Sequence, residues 1–522
     1  MPIQPGAPRG ALVREAPGEP AISIAVHLCA HHYISPVEHA PPVAQHTLLR
    51  TMACALAACL SAACQTYEPT PLHLDARLDL VGARASDVQA HERFVDQLSA
   101  AGQSAPEAFN LADGASLAEG EVLALFYNAN LRTARLKAGV ALAFQDQAGL
   151  WKDPQFGFDA AQVLSPGDFL EYGATLALTL PVSGRLAVER ARAGAAYEVE
   201  LRGLVDAEWK LRASVRSAWY AWSAAEKRKR LLVETIERVE RIGVIGARLE
   251  AAGSIRKADE RLLRIELIGR KAQLTAVELE SQQARVSLLG LMGLAPDSAV
   301  ELEVSAPALS LPETASRAAW VLESNTELAV LRSRHQVAEE SLRLAIRKQY
   351  PDVGMGAGFG SEDEDSRFLF GFSLPIPLLN RNRAEIAKAR ANRDVTRATA
   401  ETALERIVRE VRQAELALDL VRKQRSQLKN ELEPLLIEQS QNIEELASLG
   451  DVDAFLLLET VGRQLDAQSR LVSLEQAEGD ALVQLTALLG PDSRTTPIPS
   501  DEISLPPSSA NSMDGSIEDT SR

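Results

Sequence analysis

Residues 353–374 read VGMGAGFGSEDEDSRFLFGFSL, and this stretch decides how the rest of the chain is interpreted. On both sides of SEDEDS, apolar residues alternate with small or polar ones. The apolar members are Val353, Met355, Ala357 and Phe359 on the first arm, and Phe368, Phe370, Phe372 and Leu374 on the second. A period of two is typical of β-strands with one apolar face. The stretch predicts two strands, at about 351–360 and 367–377.

An earlier stretch, LEYGATLALTL at 170–180, has the same alternation. It predicts a second pair of strands, at about 154–163 and 169–181. Strands of about 10 residues with one apolar face suit a membrane β-barrel, in which the apolar positions meet lipid and the others line a lumen. Considered alone, the strands are equally compatible with two hairpins packed on soluble helices.

The two strand pairs belong to a tandem duplication with an offset of 197 residues. Four landmarks share that offset: Asn128 with Asn325, Pro154 with Pro351, Gly253 with Gly450, and Gly293 with Gly490. Repetition of this kind indicates one structural unit used twice. The sequence therefore predicts repeat 1 at 116–297 and repeat 2 at 310–490, each with the order helix, strand, strand, helix, helix.

Each repeat is predicted to begin with a helix and to end with a helical hairpin. Capping boxes at Ser116–Glu119 and Ser310–Glu313 mark the first helices. The pattern after the strands predicts long helices at 185–250 and 381–446, each about 100 Å at 1.5 Å per residue. Return helices are predicted at 254–293 and 451–489, after breaks at Gly253 and Gly450. Helices of that length must pack as coiled-coil hairpins or in a bundle.

Composition excludes several classes of function. The chain has 55 basic and 71 acidic side chains, a net charge of −16, and no basic cluster, which argues against nucleic acid. After residue 64 there is no run of 18 apolar residues that would predict a transmembrane helix. Phosphate-binding and catalytic motifs are missing, and His73, His91 and His335 are too scattered for a metal site. We expect no enzyme activity, no cofactor and no bound metal.

The N-terminal region resembles a bacterial secretion signal with a lipoprotein-type end. Residues 43–63 carry a positive flank and an apolar stretch, and small residues precede Cys64. We expect acylation at Cys64, with Cys59 as the alternative. Residues 1–42 are predicted to be a non-native extension, with translation beginning near Val43. An extended segment at 64–115 and a disordered tail at 491–522 complete the predicted organisation.

This order of elements resembles the TolC-like outer-membrane factor family. The resemblance rests on the duplicated plan, on the Leu-Pro-Val and Leu-Pro-Ile strand ends at 180–182 and 374–376, and on the hairpin glycines. It implies a mainly α protein with a β-barrel part: a homotrimer whose twelve strands close in the outer membrane of a Gram-negative bacterium. A periplasmic α-helical coiled-coil tunnel would continue the barrel.

The resemblance also implies which residues carry function. Family members place acidic pore residues after the hairpin glycine, and this implies a pore constriction at Asp259, Glu459 and Asp453. Each repeat keeps only half of the family's acidic pattern, since Leu262 and Leu456 stand at the other two positions. The hairpin tips would dock an adaptor, through the residues Gly253, Gly450, Arg256 and Lys257.

The implied function is that of an exit duct in a tripartite efflux system, working with a periplasmic adaptor and an inner-membrane pump. An acylated duct with an extended N-terminal segment is similar to members that export heavy-metal cations, and drug efflux is the alternative. From another class, a periplasmic coiled-coil lipoprotein scaffold without a pore also stays open.

Overall fold

The computed structural model describes residues 67–84, 88–164, 169–305, 309–311, 316–362, 365–448 and 454–491. It divides the chain into two units, Met1–His73 and Leu74–Arg522. In the first unit, the described residues 67–73 contain no helix or strand. Several predictions lie outside the described residues: the extension 1–42, the signal at 43–63, both candidate cysteines, the tail after 491, Gly450 and Asp453.

The second unit is mainly helical with one small sheet, as the sequence predicts. Its first part contains α1 (Leu74–Gly82), α2 (Val88–Ala100), α3 (Leu117–Tyr127), α4 (Ala129–Asp146), β1 (Gln155–Val163), β2 (Phe169–Leu180), α5 (Arg185–Ala251) and α6 (Lys257–Leu291). Its second part contains α7 (Arg317–Ser324), α8 (Thr326–Arg347), β3 (Val353–Glu362), β4 (Asp365–Ser373), α9 (Arg383–Gln427), a π-helical turn (Leu428–Leu432), α10 (Glu433–Ser448) and α11 (Ala454–Leu489).

The segment 64–115 is not extended throughout, because α1 and α2 lie within it. Helix α2 packs its buried side chains His91, Phe94 and Leu98 into the core of repeat 1. The imidazole of His91 lies 2.9 Å from the Tyr127 hydroxyl. The prediction missed these helices because their apolar positions are few and are interrupted by charged residues.

The opening helix of each repeat is divided in two. Ser116 caps α3 through a capping box with Glu119, where the sequence placed it. The second start differs: the helix begins at Arg317 with Ser316 as its N-cap, and Glu313 lies outside the described residues. In both repeats the division falls at an asparagine, Asn128 or Asn325, which ends one helix and caps the next.

The two long helices also differ from each other. Helix α5 is continuous over 67 residues. Its counterpart in repeat 2 is interrupted by the π-helical turn and continues as α10, which carries Pro434 in its first turn. A proline has no N–H to donate to the carbonyl four residues earlier, so it disfavours an uninterrupted α-helix at this point. The prediction of one helix over 381–446 did not take Pro434 into account.

The four strands form one antiparallel sheet in the order β1-β2-β3-β4. In the register, Phe158 pairs with Ala174, Ala174 with Phe359, and Phe359 with Phe368. Strands β1 and β4 are its two edges, and each has one strand neighbour among the described residues. The hairpins of the two repeats thus join into a single surface.

Below the sheet, the long helices lie side by side. Helix α5 packs against α4, α6, α8 and α11, while α9 packs against α8 and α11. Two cores result: one in repeat 1 around Trp219, Leu288 and Phe126, and one in repeat 2 around Ile407 and Leu485. Along this layer α6 and α4 form one border, and α9 with α10 forms the other.

Candidate functional site

One face of the sheet is apolar and open to the surroundings. The pairing register places these side chains on the same face: Phe156, Phe158, Leu170, Tyr172, Leu176, Met355, Phe359, Phe368, Phe370 and Phe372. On β4 the exposed fractions reach 75% for Phe368 and 77% for Phe372. Exposure of large aromatic side chains to water is energetically unfavourable, so a continuous apolar face of this kind marks an interaction site.

The opposite face of the sheet is mostly small or polar, with Leu369 and Phe169 as large apolar exceptions. On β3 it consists of Gly354, Gly356, Gly358 and Gly360, and the facing positions of β2 include threonine and alanine. Asp159 folds over Gly173, whose added Cβ would lie 2.9 Å from a carboxylate oxygen. Near the β3–β4 turn, Glu362 and Arg367 form an ion pair. This face suits contact with water.

A repeated joint connects the upper helices to the ends of the hairpins. The amide of Asn128 donates to the carbonyl of Leu291 at 3.0 Å, and that of Asn325 donates to the carbonyl of Leu488 at 2.7 Å. The residue after the hairpin is glycine with positive φ in both repeats, Gly293 and Gly490. A Cβ on Gly293 would lie 2.8 Å from the backbone of Tyr127, so only glycine permits this approach.

The tip of the first hairpin is built by Gly253 and a short turn. Gly253 has a φ of +75°, a conformation that favours glycine. Asp259 caps α6: its carboxylate accepts the backbone N–H of Arg256 at 3.1 Å and the guanidinium of Arg256 at 3.1 Å. The hydrogen bond from the Arg256 side chain lowers the pKa of Asp259. Arg256 and Lys257 are both exposed.

In the second hairpin, Glu459 lies on the second turn of α11. It accepts a hydrogen bond from Arg463 at 2.8 Å, and both side chains are largely exposed. The ion pairs of Asp259 and Glu459 each stay within one hairpin. Gly450 and Asp453 fall in the gap between α10 and α11.

The sequence analysis missed a buried charged network that fixes the upper part of α5. Arg212 donates to Glu121 at 2.6 Å, and Arg216 donates to the same carboxylate at 2.5 Å. Arg135 pairs with the buried Glu208 at 3.4 Å. Burial is the largest influence on the Glu208 carboxyl and raises its pKa. One sequence feature could have indicated this network, namely the helical spacing that places charged and apolar residues on one face of α5: Glu208, Arg212, Val215 and Trp219.

The described part of the chain holds neither a candidate metal cluster nor a candidate membrane-spanning helix. No group of three or more His, Cys, Asp or Glu side chains there could hold a metal ion. Among the helices described, none combines the length and the apolar character needed to cross a membrane.

Comparisons with known proteins identify the kind of molecule this chain is similar to. Residues 320–491 match the family model described as Outer membrane efflux protein. No curated protein matches the chain. Efflux channels of this family are non-enzymatic pores, in agreement with the expectation that the chain is not an enzyme.

Several solved structures have the same fold. CusC, studied for folding and transmembrane channel formation, is 17% identical; the match covers 72% of this chain and 92% of CusC, with a TM-score of 0.61. A membrane protein from Pseudomonas aeruginosa is 20% identical, with 74% and 94% covered and a TM-score of 0.62. The open MtrE outer membrane channel of Neisseria gonorrhoeae is 18% identical, with 74% and 94% covered and a TM-score of 0.60.

Proposed function

We propose, for a chain that carries the outer membrane efflux protein domain on the fold of TolC-like channels, that it is the exit duct of a tripartite efflux system. As a homotrimer in the outer membrane, it passes substrate from the periplasm to the exterior. A periplasmic adaptor and an inner-membrane pump complete the system. Acylation at Cys64, or at Cys59, anchors the N-terminal segment to the same membrane.

The exposed aromatic face of the sheet carries this proposal. Lipid accepts an apolar face, but it does not accept the unpaired backbone groups at the two edges, β1 and β4. Pairing β4 of one copy with β1 of the next satisfies those groups. Three copies of a four-stranded sheet then close into a twelve-stranded barrel, with the glycine-rich face toward the lumen.

The borders of the helical layer support the same closure. On α6 an exposed line of apolar or small residues follows the heptad spacing of three and four, at positions 262, 265, 269, 272, 276 and 279. On α4, Leu136, Val140 and Phe144 form a second exposed line. The opposite border exposes Val395, Leu420 and Leu435 on α9 and α10. The α4–α6 border of one copy can pack against the α9–α10 border of the next. These contacts between copies form the periplasmic tunnel.

We assign the entrance of the duct to the hairpin tips. Glu459, Asp259 and Asp453 are the candidate acidic groups of a pore constriction, and a ring of three Glu459 side chains would favour cations. Gly253, Gly450, Arg256 and Lys257 are the candidate docking residues for the adaptor. Asp259 is the weaker pore candidate, since Arg256 holds its carboxylate with three hydrogen bonds, whereas Glu459 accepts one from Arg463.

Metal cations and drugs are the two candidate substrate classes. In tripartite systems the pump and the adaptor select cargo, so a duct is compatible with either. Transport assays in cells that carry the cognate pump distinguish them: deletion of the duct raises sensitivity to the exported class alone.

Conductance across planar lipid bilayers tests the proposal directly. The purified protein is expected to give stepwise single-channel currents, in which each step is the opening of one trimeric channel. A periplasmic scaffold without a pore, the alternative from the sequence, predicts no current and a protein that stays soluble without detergent once its lipid is removed. That pair of results would overturn the duct.

A further inference from the structure

Three arginines lie close together beside the joint at the end of the first hairpin, and we call them the arginine cluster. They are Arg77 on α1, Arg84 just after that helix, and Arg132 in the first turns of α4. The Arg84 guanidinium donates to the carbonyl of Gly293 and lies 5.4 Å from the ring centroid of Tyr127. All three side chains are half-buried, and none forms an ion pair within the described part of the chain.

The positive charges of the arginine cluster oppose one another. Burial, and after it the charges of Arg77 and Arg132, lower the pKa of Arg84. Burial and the charge of Arg132 lower the pKa of Arg77 in the same way. The N-terminus of α4 adds to the effect, because it carries positive partial charge and its first turn contains no acidic residue. The cluster therefore favours an anionic partner.

Two glutamates on α9 have the opposite imbalance. Glu401 and Glu405 stand one turn apart on one face of the helix and are both exposed. Neither forms an ion pair with another residue that the structure describes. Helix α9 belongs to one border of the helical layer and α4 to the other, so in the proposed trimer the α9 of one copy faces the α4 of the next.

The chain contains an internal template for that contact, because α8 of repeat 2 packs against α5 of repeat 1. These two helices run antiparallel: Thr326 donates to Asp206 at 2.8 Å toward one end, and Arg192 donates to Ser341 at 3.0 Å toward the other. In a closed ring of three chains, each repeat meets the next either within a chain or between chains. The contact between copies then uses α4 in place of α8 and α9 in place of α5.

Two offsets convert the internal contact into a register between copies. Helix α4 corresponds to α8 after 197 residues, as the two capping asparagines show. Helix α5 corresponds to α9 after 199 residues, because buried residues recur at that spacing: Leu204 with Ala403, Val215 with Ala414, and Trp219 with Leu418. Glu405 therefore occupies the place of Asp206, which is the acceptor in the internal contact.

The resulting register brings the two charged groups to the same level. Glu405 of one copy lies opposite Ala129 in the first turn of α4 of the next copy. Glu401 lies one turn nearer the sheet, at the level of Arg132. The same register sets Val395 opposite Val140, two apolar side chains that are 62% and 57% exposed in the single chain. Apolar and charged residues thus match at one and the same register.

We propose that the arginine cluster of one copy binds Glu401 and Glu405 of the next, and that this ionic contact fixes the height at which neighbouring copies pack. The contact rests on the trimer of the proposed function and names the residues that align it. Apolar borders alone tolerate sliding by one turn, because their lines repeat every three or four residues. Opposite charges at a single level do not tolerate it. Since Arg77 lies on α1, the contact also joins the N-terminal helix of one copy to its neighbour.

Charge reversal tests the contact. Glu401→Arg/Glu405→Arg places like charges against the arginine cluster and should raise the dissociation constant of the trimer by about tenfold or more. Arg77→Glu/Arg132→Glu should have a similar effect from the other side. A variant with all four substitutions restores opposite charges across the interface and should recover most of the loss. Native mass spectrometry in detergent over a dilution series measures the three constants.

The matched control reverses the same number of charges away from the borders. Glu234→Arg/Glu237→Arg changes two exposed glutamates on α5, a helix that packs against α4, α6, α8 and α11 of its own chain. Its trimer should dissociate like that of the unmodified protein.

Crosslinking tests the register without adding charge. No native cysteine follows Cys64, so Arg132→Cys/Glu401→Cys introduces one reactive pair into the helical layer. A short bifunctional maleimide should give covalent trimers on denaturing gels for this variant, and none for either single cysteine variant. This measurement still decides if a charge-reversal variant fails to fold.

Three results would overturn the contact while the unmodified chain is a trimer. The first is charge reversal without effect together with an absence of crosslinks, and the second is a four-residue variant no better than either pair. The third is an Arg77→Glu/Arg132→Glu variant that stays trimeric but loses calorimetric binding of inorganic phosphate, which would assign the cluster to a free anion. An unmodified chain that is monomeric and gives no conductance would contradict the proposed function, and the contact with it.

Discussion

Single asparagines hold each upper helix pair to the end of its hairpin. Asn325 accepts a backbone N–H from Leu328 at 2.9 Å and donates to the carbonyl of Leu488, and Asn128 makes the corresponding contacts in repeat 1. One side chain thus provides both an N-cap and a tertiary hydrogen bond. Asparagine is the shortest side chain that places a neutral acceptor and a donor on two separate atoms, so it can make both contacts at once.

Substitution of Asn325 should show that both functions contribute. We expect Asn325→Ala to destabilise the protein by about 2 kcal/mol, since it removes a cap and a hydrogen bond. Asn325→Ser keeps a neutral capping acceptor but is too short to donate to Leu488, so its loss should be about half as large. Thermal unfolding in detergent, followed by circular dichroism, measures the difference. Equal losses of stability for the two variants would contradict separate contributions from the cap and from the hydrogen bond to Leu488.

The acidic residues of the two tips are expected to differ in their effect on ion selectivity. Asp259 accepts two hydrogen bonds from the Arg256 guanidinium and one from its backbone N–H, whereas Glu459 accepts one hydrogen bond from Arg463. Glu459→Gln should therefore reduce the cation-to-anion permeability ratio of the duct, and Asp259→Asn should reduce it less. Reversal potentials in bilayers under a salt gradient give both ratios. A larger effect at Asp259 would show that Glu459 is not the main acidic residue of the constriction.

The pH dependence of the first tip follows from the lowered pKa of Asp259. A carboxylate whose pKa is depressed in the folded state stabilises the tip above its ordinary value of 3.8, and this contribution is lost as the pH falls through the lowered pKa. Between pH 5 and 8 the cap should stay unchanged. Arg256→Ala removes the partner and should raise the pKa of Asp259 toward 3.8, as a carboxyl-resolved NMR titration would report. An unchanged pKa would contradict the assigned cause.

At the scale of elements, the proposed barrel would place neighbouring residues of one strand in contact with lipid and with water in turn. Phe370 lies on the apolar face and Leu369 on the opposite face, and their exposed fractions in one chain are similar, at 68% and 53%. Exposure alone therefore predicts the same tolerance to arginine at both positions. A lipid environment predicts a difference, because arginine on a lipid face costs about 2 to 4 kcal/mol near the midplane.

We expect Phe370→Arg to abolish assembly in the outer membrane and Leu369→Arg to be tolerated. Membrane fractionation and the yield of folded, heat-modifiable protein on gels measure assembly. Equal tolerance of the two variants would place the aromatic face in contact with something other than lipid.

A buried ion pair, Arg135–Glu208, connects α4 to α5, and its charges depend on each other for stability. Removing one partner leaves the other charge buried and unpaired. Glu208→Ala should therefore lower the free energy of unfolding by about 3 to 5 kcal/mol. The double variant Arg135→Met/Glu208→Leu removes both charges together and should recover most of that loss. Denaturation of the three proteins under one condition gives the coupling. A double variant as unstable as Glu208→Ala would argue against charge burial as the cause.

The sequence predicts some of these elements well and others poorly, for identifiable reasons. Strands with period-two alternation and a long continuous helix such as α5 leave strong patterns, and the offset of 197 locates both joints. Short helices such as α1 and α2 leave weak patterns because tertiary packing, not periodicity, stabilises them. The π-turn is invisible to a periodicity search, and only Pro434 points to it. Buried ion pairs depend on which helices meet, which one sequence cannot specify.

At the scale of the whole molecule, the described part of the chain leaves surfaces that a neighbouring copy could cover. Its sheet has two open edges, and its helical layer has two apolar borders. The line on α6 is the clearest of these, since Ile265 and Leu279 are 66% and 60% exposed and follow heptad spacing. Folding of one copy leaves this apolar area in water, and association with the next copy in the proposed trimer would remove it.

The trimer should therefore depend on this line more than on equally exposed residues nearby. Introducing charge with Ile265→Glu/Leu279→Glu places two carboxylates where the border must be dry, which costs several kcal/mol per interface unless they are paired. Thr275→Glu/Gln282→Glu adds the same charge to the same helix off the apolar line and serves as the matched control. We expect native mass spectrometry in detergent to give mainly monomer for the first pair and trimer for the second. Trimers in both cases would mean that the strands alone close the ring and that the α6 border faces water or another partner.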